Sequence, residues 1–235
     1  MDVVEIVLET QGKVGFASRE VGRMADTAEY LLNTALHYAL GFAAGRYVDT
    51  IHRQTYQEDT AEVVEDVYIT PAEPLDQPDY WTTIYNARDD RYATVNYAAA
   101  DDPDQKINLP RFGRERAFTQ GNEFRCYAIP RAASARELLS ELPAYARLGK
   151  KRGKAKVHTR LVTVRRETGR FTANHPFSVY DYDGTPLGSV ISKNMRPTPL
   201  ILQAEYEDEH LTIPRGENEP PARLPTDLQF LRTKR

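Results

Sequence analysis

The sequence predicts an α+β fold, and three observations carry that expectation. β-type runs recur along most of the chain, only two stretches have helical periodicity, and the order is strand, long helix, several strands, short helix, strands. Such an order matches an elaborated ferredoxin-like βαββαβ unit with long insertions. Fourteen Tyr and eight Phe against a single Trp favour pleated, half-polar surfaces, where rings pack well. A chain of 235 residues that is 40% hydrophobic can also bury a core of its own. One elaborated domain is expected over residues 1–213, with 214–235 as an extended tail.

VVEIVLE (3–9) alternates as a first strand, and QGKVG after it supplies turn residues. Asp26 or Thr27 can cap a helix whose apolar positions Ala28, Leu31, Leu32, Ala35, Leu36, Ala39, Leu40 and Ala43 occupy most of its circumference. It ends at Gly41 or Gly45, and its narrow polar strip of Tyr30, Asn33, His37 and Gly41 makes His37 a buried, hydrogen-bonded histidine. Residues 46–80 read as an excursion around the short strand VYIT, with PAEPLDQPDY broken by prolines. TTIYNARDDRYATVNY reads as a hairpin about Arg88, Asp89 and Asp90, followed by the surface loop AAADDPDQK. Strands at EFRCYAI (123–129) and KVHTRLVTVRRE (156–167) flank a short helix from Ser134 and a basic loop. Further strands fall at PLGSVIS, PLILQAEY and HLTI, and the proline-rich stretch from Pro214 is extended.

The single Cys126 allows no intrachain disulfide, and no Cys or His pair has zinc-finger spacing, so no metal or other cofactor is expected. A reducing, cytoplasmic setting fits that composition. The apolar run from Ala35 to Ala44 is too short to span a bilayer, and no membrane partner is expected. The net charge of -3 conceals a division: residues 111–170 hold 16 Lys/Arg and 5 Asp/Glu, leaving 15 and 29 for the rest. The basic block reads as a footprint for phosphates, or more plainly as a solvated Lys/Arg surface.

In RLGKKRGKAKVHTR (147–160), eight of fourteen residues are Lys, Arg or His. The segment fails as a nucleotide-binding loop, because only three residues separate Gly149 from Gly153 and Ala155 stands where a Ser or Thr must reach magnesium. The glycines instead suggest a mobile finger whose Arg147, Lys150, Lys151, Arg152, Lys154 and Lys156 follow successive phosphates, extended by His158 and Arg160. LPRFGRERAF (109–118) sets Arg111, Arg114 and Phe112 for stacking on unpaired bases and pairing with phosphates, with Phe112 and Phe118 as core anchors the plain alternative. In FASREVGR (16–23), Ser18, Arg19 and Arg23 lie close to the N-terminus of the long helix, where a phosphate is favoured. An ion pair from Arg19 to Glu20 or Asp26 is the alternative there. No HExxH or GxSxG occurs, so no catalytic residue is assigned, although a metal-free RNA cleavage site built on His158 or His175 is the rival reading.

The segments FASREVGR, EYLLNTALHYALG, VYITPAEP, TIYNARDDRY, NLPRFGR, LPAYARLGKKRGKAKV, NHP and NMRPTPL, in that order from about residue 3 to residue 213, resemble the Csc subfamily of the Cas-five group of CRISPR-associated proteins. The resemblance implies a RAMP protein of type I-D interference (Cascade): a ferredoxin-like, RRM-related domain with long insertions and a protruding thumb hairpin or loop. It also implies a non-catalytic subunit that caps the 5′ handle of the CRISPR RNA (crRNA). Such a subunit sits beside the terminal backbone subunit of Cas-seven type and the large subunit of Cas-ten type, near target double-stranded DNA at the protospacer-adjacent motif. Carried onto this chain, the resemblance gives Ser18, Arg19, Arg23, Arg111, Phe112 and Arg114 to the handle, joined by Asn194 and Arg196 of NMRPTPL. The finger 147–160 then clamps the handle or reaches toward the target duplex, and the acidic VEDVYITPAEPLD segment is expected to meet another protein.

Overall fold

A computed structural model describes residues 1–21, 24–43, 55–61, 65–87, 111–132 and 134–232. The chain runs β1 (Asp2–Thr10), β2 (Arg19–Val21), β3 (Met24–Asp26), α1 (Asn33–Ala39), α2 (Tyr56–Thr60), β4 (Val67–Ile69), β5 (Glu73–Pro74), β6 (Tyr80–Ala87), β7 (Arg111–Phe118), β8 (Glu123–Pro130) and α3 (Ala135–Glu141). It continues through β9 (Tyr145–Leu148), β10 (Gly153–Thr163), β11 (Arg165–Ala173), β12 (Phe177–Ser178), β13 (Ile191–Lys193), β14 (Leu200–Ile213) and β15 (Ala222–Pro225).

The first sheet has the order β4-β8-β1-β10-β9, with every neighbouring pair antiparallel. Within it β1, α1, β4, β8, α3 and β10 reproduce the ferredoxin-like βαββαβ order, as the sequence predicts. The inner face carries Val4, Ile6, Leu8, Phe124, Cys126 and Ala128 in one core with Leu36 of α1, Leu40 just after it and Leu138 of α3. Burial pushes the Cys126 thiol far up, so it is an inert core side chain. The opposite face is covered at one end only. There Val3, Tyr127, Ile129, Val162 and Val164 join a second core with Phe171, Phe177, Tyr206, Leu211 and Leu224 from a sheet centred on β14.

Several expectations change. The long helix is only α1, because tertiary partners claim the residues that looked like caps. The Asp26 carboxylate is held by Arg19 and Arg116, and the Thr27 hydroxyl donates to the Phe16 carbonyl and accepts its N–H, both at 2.9 Å. Gly41, at φ +88°, ends the helix as expected. His37 is fully buried, with Nδ1 2.8 Å from the Asn33 carbonyl, and burial lowers it to about 4. The capped helix from Ser134 is present with a complete capping box to Glu137.

β6 pairs with β7 from Tyr80↔Phe118 to Ala87↔Arg111, while the second run of the expected hairpin and the loop after it lie outside the described residues. The stretch 156–167 divides at Val164, whose N–H bonds the Met1 carbonyl at 2.9 Å, and β11 crosses to the second sheet. PLILQAEY and HLTI form one strand, β14, which pairs along its length with β11, β12, β13 and β15. Of PLGSVIS only Ile191 and Ser192 are in a strand. The segment after Pro214 supplies β15 and buries Ala222, Leu224, Leu228 and Phe230 in the second core. Among the described residues no helix is long and apolar enough to cross a membrane.

The two cores are joined by a polar knot. Glu73 meets Arg125 at 3.3 Å, Arg215 at 2.7 Å and His175 at 3.2 Å, while Arg125 also holds Glu219 at 2.6 Å. Burial alone would raise the Glu73 carboxyl, but His175, Arg215 and Arg125 draw it down to about 2. Burial keeps His175 itself below the usual imidazole value, against the pull of Glu73.

Candidate nucleic-acid interface

The basic segment is a β-hairpin and not a mobile finger. Leu148 pairs with Gly153, Arg147 with Lys154, Ala146 with Ala155 and Tyr145 with Lys156. The turn is seated on the residues after β1: Lys150 N–H donates to the Gly15 carbonyl at 3.0 Å, and Gln11 N–H donates to the Lys154 carbonyl at 2.8 Å. Both glycines are needed for this close approach. A Cβ on Gly149, at φ +73°, would collide with the Gly15 carbonyl, and one on Gly153 would collide with the Lys13 carbonyl.

Strand alternation then sorts the side chains. Ala146, Leu148, Ala155 and Val157 point into the core, whereas Tyr145, Arg147, Lys154, Lys156, His158 and Arg160 share the exposed face. Two of these face carboxylates within the sheet: Arg160 meets the buried Glu5 at 2.8 Å and His158 Nε2 lies 3.3 Å from Glu9. On the turn, Lys151 pairs with Glu115 of β7, and an Arg147 guanidinium N–H donates to the Arg152 carbonyl at 3.3 Å. Lys154 and Lys156 make no salt bridge among the described residues. Lys154 instead lies 3.8 Å from the ring centre of Tyr145.

The other expected residues form a second group. Arg19 and Asp26 are paired across β2 and β3, and β3 runs parallel to β7 with Met24 opposite Arg114 and Asp26 opposite Arg116. Arg19 therefore forms the ion pair that was its alternative reading, although half of its side chain is still exposed. Ser18 is buried, and its carbonyl accepts the Arg196 N–H at 2.9 Å, which brings NMRPTPL beside FASREVGR. Asn194, Arg196 and Arg114 are exposed, and Phe112 is 62% exposed, while Phe118 is a core residue. Arg19 opens β2, and Asp26, expected to cap the helix, instead ends β3, with α1 starting only at Asn33. Arg23 lies outside the described residues, and Arg111 opens β7.

Sequence reasoning passed over Lys13, Trp81, Tyr145 and Arg116. Trp81 is 54% exposed with the Lys13 amino group 4.8 Å from its ring centre, and Tyr145 is 50% exposed. Arg116 stacks at 4.1 Å on Tyr80 and reaches Asp26 at 2.5 Å. The legible signal was parity: Tyr145 is two residues before Arg147, hence on the basic face of any strand there. Among the described residues no group of three or more His, Cys, Asp or Glu is placed to hold a metal ion.

Two solved structures are similar to this chain in chain trace. A crystal structure of a CRISPR protein from Archaeoglobus fulgidus is similar at 13% identity and TM-score 0.45, over 95% of this chain and 100% of that one. The cryo-EM structure of the Type III-B Cmr-beta bound to cognate target RNA and AMPPnP is similar at 10% identity and TM-score 0.47, over 89% and 86%. No curated protein matches the sequence. Residues 1–233 match the family described as type I-D CRISPR-associated protein Cas5/Csc1, and on that match the chain belongs to the type I-D Cas5/Csc1 family.

Proposed function

We propose that this chain is a non-catalytic, crRNA-binding subunit of the type I-D interference complex, and that the exposed face of β9 and β10 clamps the 5′ handle. The observation that carries the proposal is the alignment of Arg147, Lys154 and Lys156 with an exposed aromatic ring on one sheet face. Evenly spaced cations suit successive phosphates, and the ring suits an unpaired base. Because the hairpin is seated on Gly15 and tied to Glu115, it is better placed as a clamp on its own domain than as a finger reaching outward. Ser18, Arg19, Arg114, Phe112, Asn194 and Arg196 form a second contact region for the handle, and the β6–β7 hairpin is the thumb.

The terminal backbone subunit of Cas-seven type and the large subunit of Cas-ten type are the neighbours this role needs, with target DNA near the protospacer-adjacent motif held chiefly by the large subunit. The rival endoribonuclease draws little support from the geometry. His175 is fully buried between the two cores, and His158 lies on the exposed face against Glu9. Co-expression with neighbouring genes, purification through a tag on this chain and sequencing of the bound RNA test the proposal. A uniform, repeat-derived 5′ end is expected. Heterogeneous RNA would overturn the handle role, and cleavage of repeat RNA in chelator, abolished by His158→Ala, would install the nuclease instead.

A further inference from the structure

The acidic VEDVYITPAEPLD segment gives Glu73 to the polar knot and leaves Asp66 exposed just before β4. Asp66 there borders a groove of about 330 Å³, lined by Leu40 and Phe42 after α1, by Val67 of β4 and by Leu138 and Glu141 of α3. Its floor is apolar, since Leu40, Phe42, Val67 and Leu138 all belong to the first core. Its rim is acidic. Asp66 and Glu141 are exposed, and neither makes a salt bridge among the described residues. No Lys or Arg is among the residues that line the groove, and α3 has no basic residue in its last turn.

We propose that this groove docks a basic segment of a neighbouring protein subunit, with one Arg or Lys side chain laid along the apolar floor and its charge held by Asp66 and Glu141. The proposal rests on the subunit reading above. Lys and Arg bury their stems on apolar surface while their heads stay at a polar rim, so a single such side chain answers both features of the groove. An acidic rim repels phosphates, so the occupant is a polypeptide and not the nucleic acid given to the face of β9 and β10. Rim charges of this kind select the partner and speed its encounter more than they add affinity, which suits a contact within an assembly.

The test uses the complex co-expressed with its neighbouring genes and purified through a tag on this chain. Glu141→p-benzoylphenylalanine, with Asp66 kept, is irradiated in that complex, and the crosslinked peptide should be a Lys- or Arg-containing segment of a neighbouring subunit. Asp66→Lys with Glu141→Lys should weaken recovery of that subunit about tenfold, with the Tm of the isolated chain unchanged, and reversing the crosslinked basic residue to Glu should restore it. If the double variant lowers the Tm, the crosslink alone decides. An assembled, RNA-bound complex in which position 141 crosslinks to nothing, to RNA or to a segment without Lys or Arg overturns the docking groove while leaving the subunit reading in place. Recovery of the wild-type chain with neither RNA nor neighbouring subunits overturns the subunit reading, and the groove with it.

Discussion

Neutralising Lys154 and Lys156 together should weaken single-strand binding through charge alone. Among the eight basic residues of 147–160, these two make no salt bridge among the described residues, whereas Lys151, His158 and Arg160 face Glu115, Glu9 and Glu5. Every phosphate of a single strand that a cation neutralises adds about 0.7 to the steepness of log affinity against log salt. Lys154→Gln with Lys156→Gln should therefore reduce the slope by about 1.4 and cost about 25-fold in affinity at 0.1 M salt. The contrast is Arg160→Gln. Its charge is already answered by Glu5, so the slope should barely move, but a buried carboxylate loses its partner and stability falls by about 1–2 kcal/mol. Anisotropy of a labelled strand across a salt series reads the slopes, and thermal melts read the stability. Equal slope changes for the double variant and for Arg160→Gln would refute the assignment of free and compensated charge.

Removing the acid that restrains the turn should have the opposite sign: Glu115→Gln releases Lys151 and should tighten single-strand binding about fivefold at 0.1 M salt, read in the same assay. Gly149→Ala should lower stability by about 2 kcal/mol or more, visible as a depressed Tm, because the new Cβ meets the Gly15 carbonyl at a positive φ. Stability should also depend on pH through three largely buried groups. His37 is lowered in the fold, so its neutral form is favoured; that contribution is complete above pH 6.5 and is lost as pH falls toward 4, a decline His37→Gln should flatten. Glu73 is lowered as well, so its contribution is complete above pH 4.5 and disappears as pH falls toward 2. Asp181 acts the other way, because burial raises it to about 6 and its contribution fades as pH rises through that value. Denaturant melts of wild type, His37→Gln and Asp181→Asn from pH 8 to pH 2 separate the three.

What was legible in the sequence was what local chemistry decides. β1 is legible because Val4, Ile6 and Leu8 fall on one face in strict alternation, and Ser134 with Glu137 closes a capping box within one turn. What was not legible depended on partners distant in the chain. Asp26 looks like a helix cap until Arg116, ninety residues later, claims its carboxylate, and the apolar run after it then yields a helix only from Asn33. Gly149 and Gly153 suggest flexibility to a reader of the sequence, yet they are glycines because residues 13–15 pack against them. The charge of the interface could be read from its Lys and Arg, and its sidedness could not until β10 was registered against β1. Trp81 carried no signal as an isolated aromatic, since the lysine beside it, Lys13, comes from the segment after β1, whereas Tyr145 shares the parity of Arg147.

The most direct test of the central claim is a photo-crosslink in the assembled complex, with 4-thiouridine placed at single positions of the crRNA 5′ handle and the crosslinked peptides identified by mass spectrometry. Crosslinks on the hairpin 145–156 of this chain are the predicted result. Handle crosslinks that fall only on other subunits, or on this chain only within the β14 sheet, would contradict it.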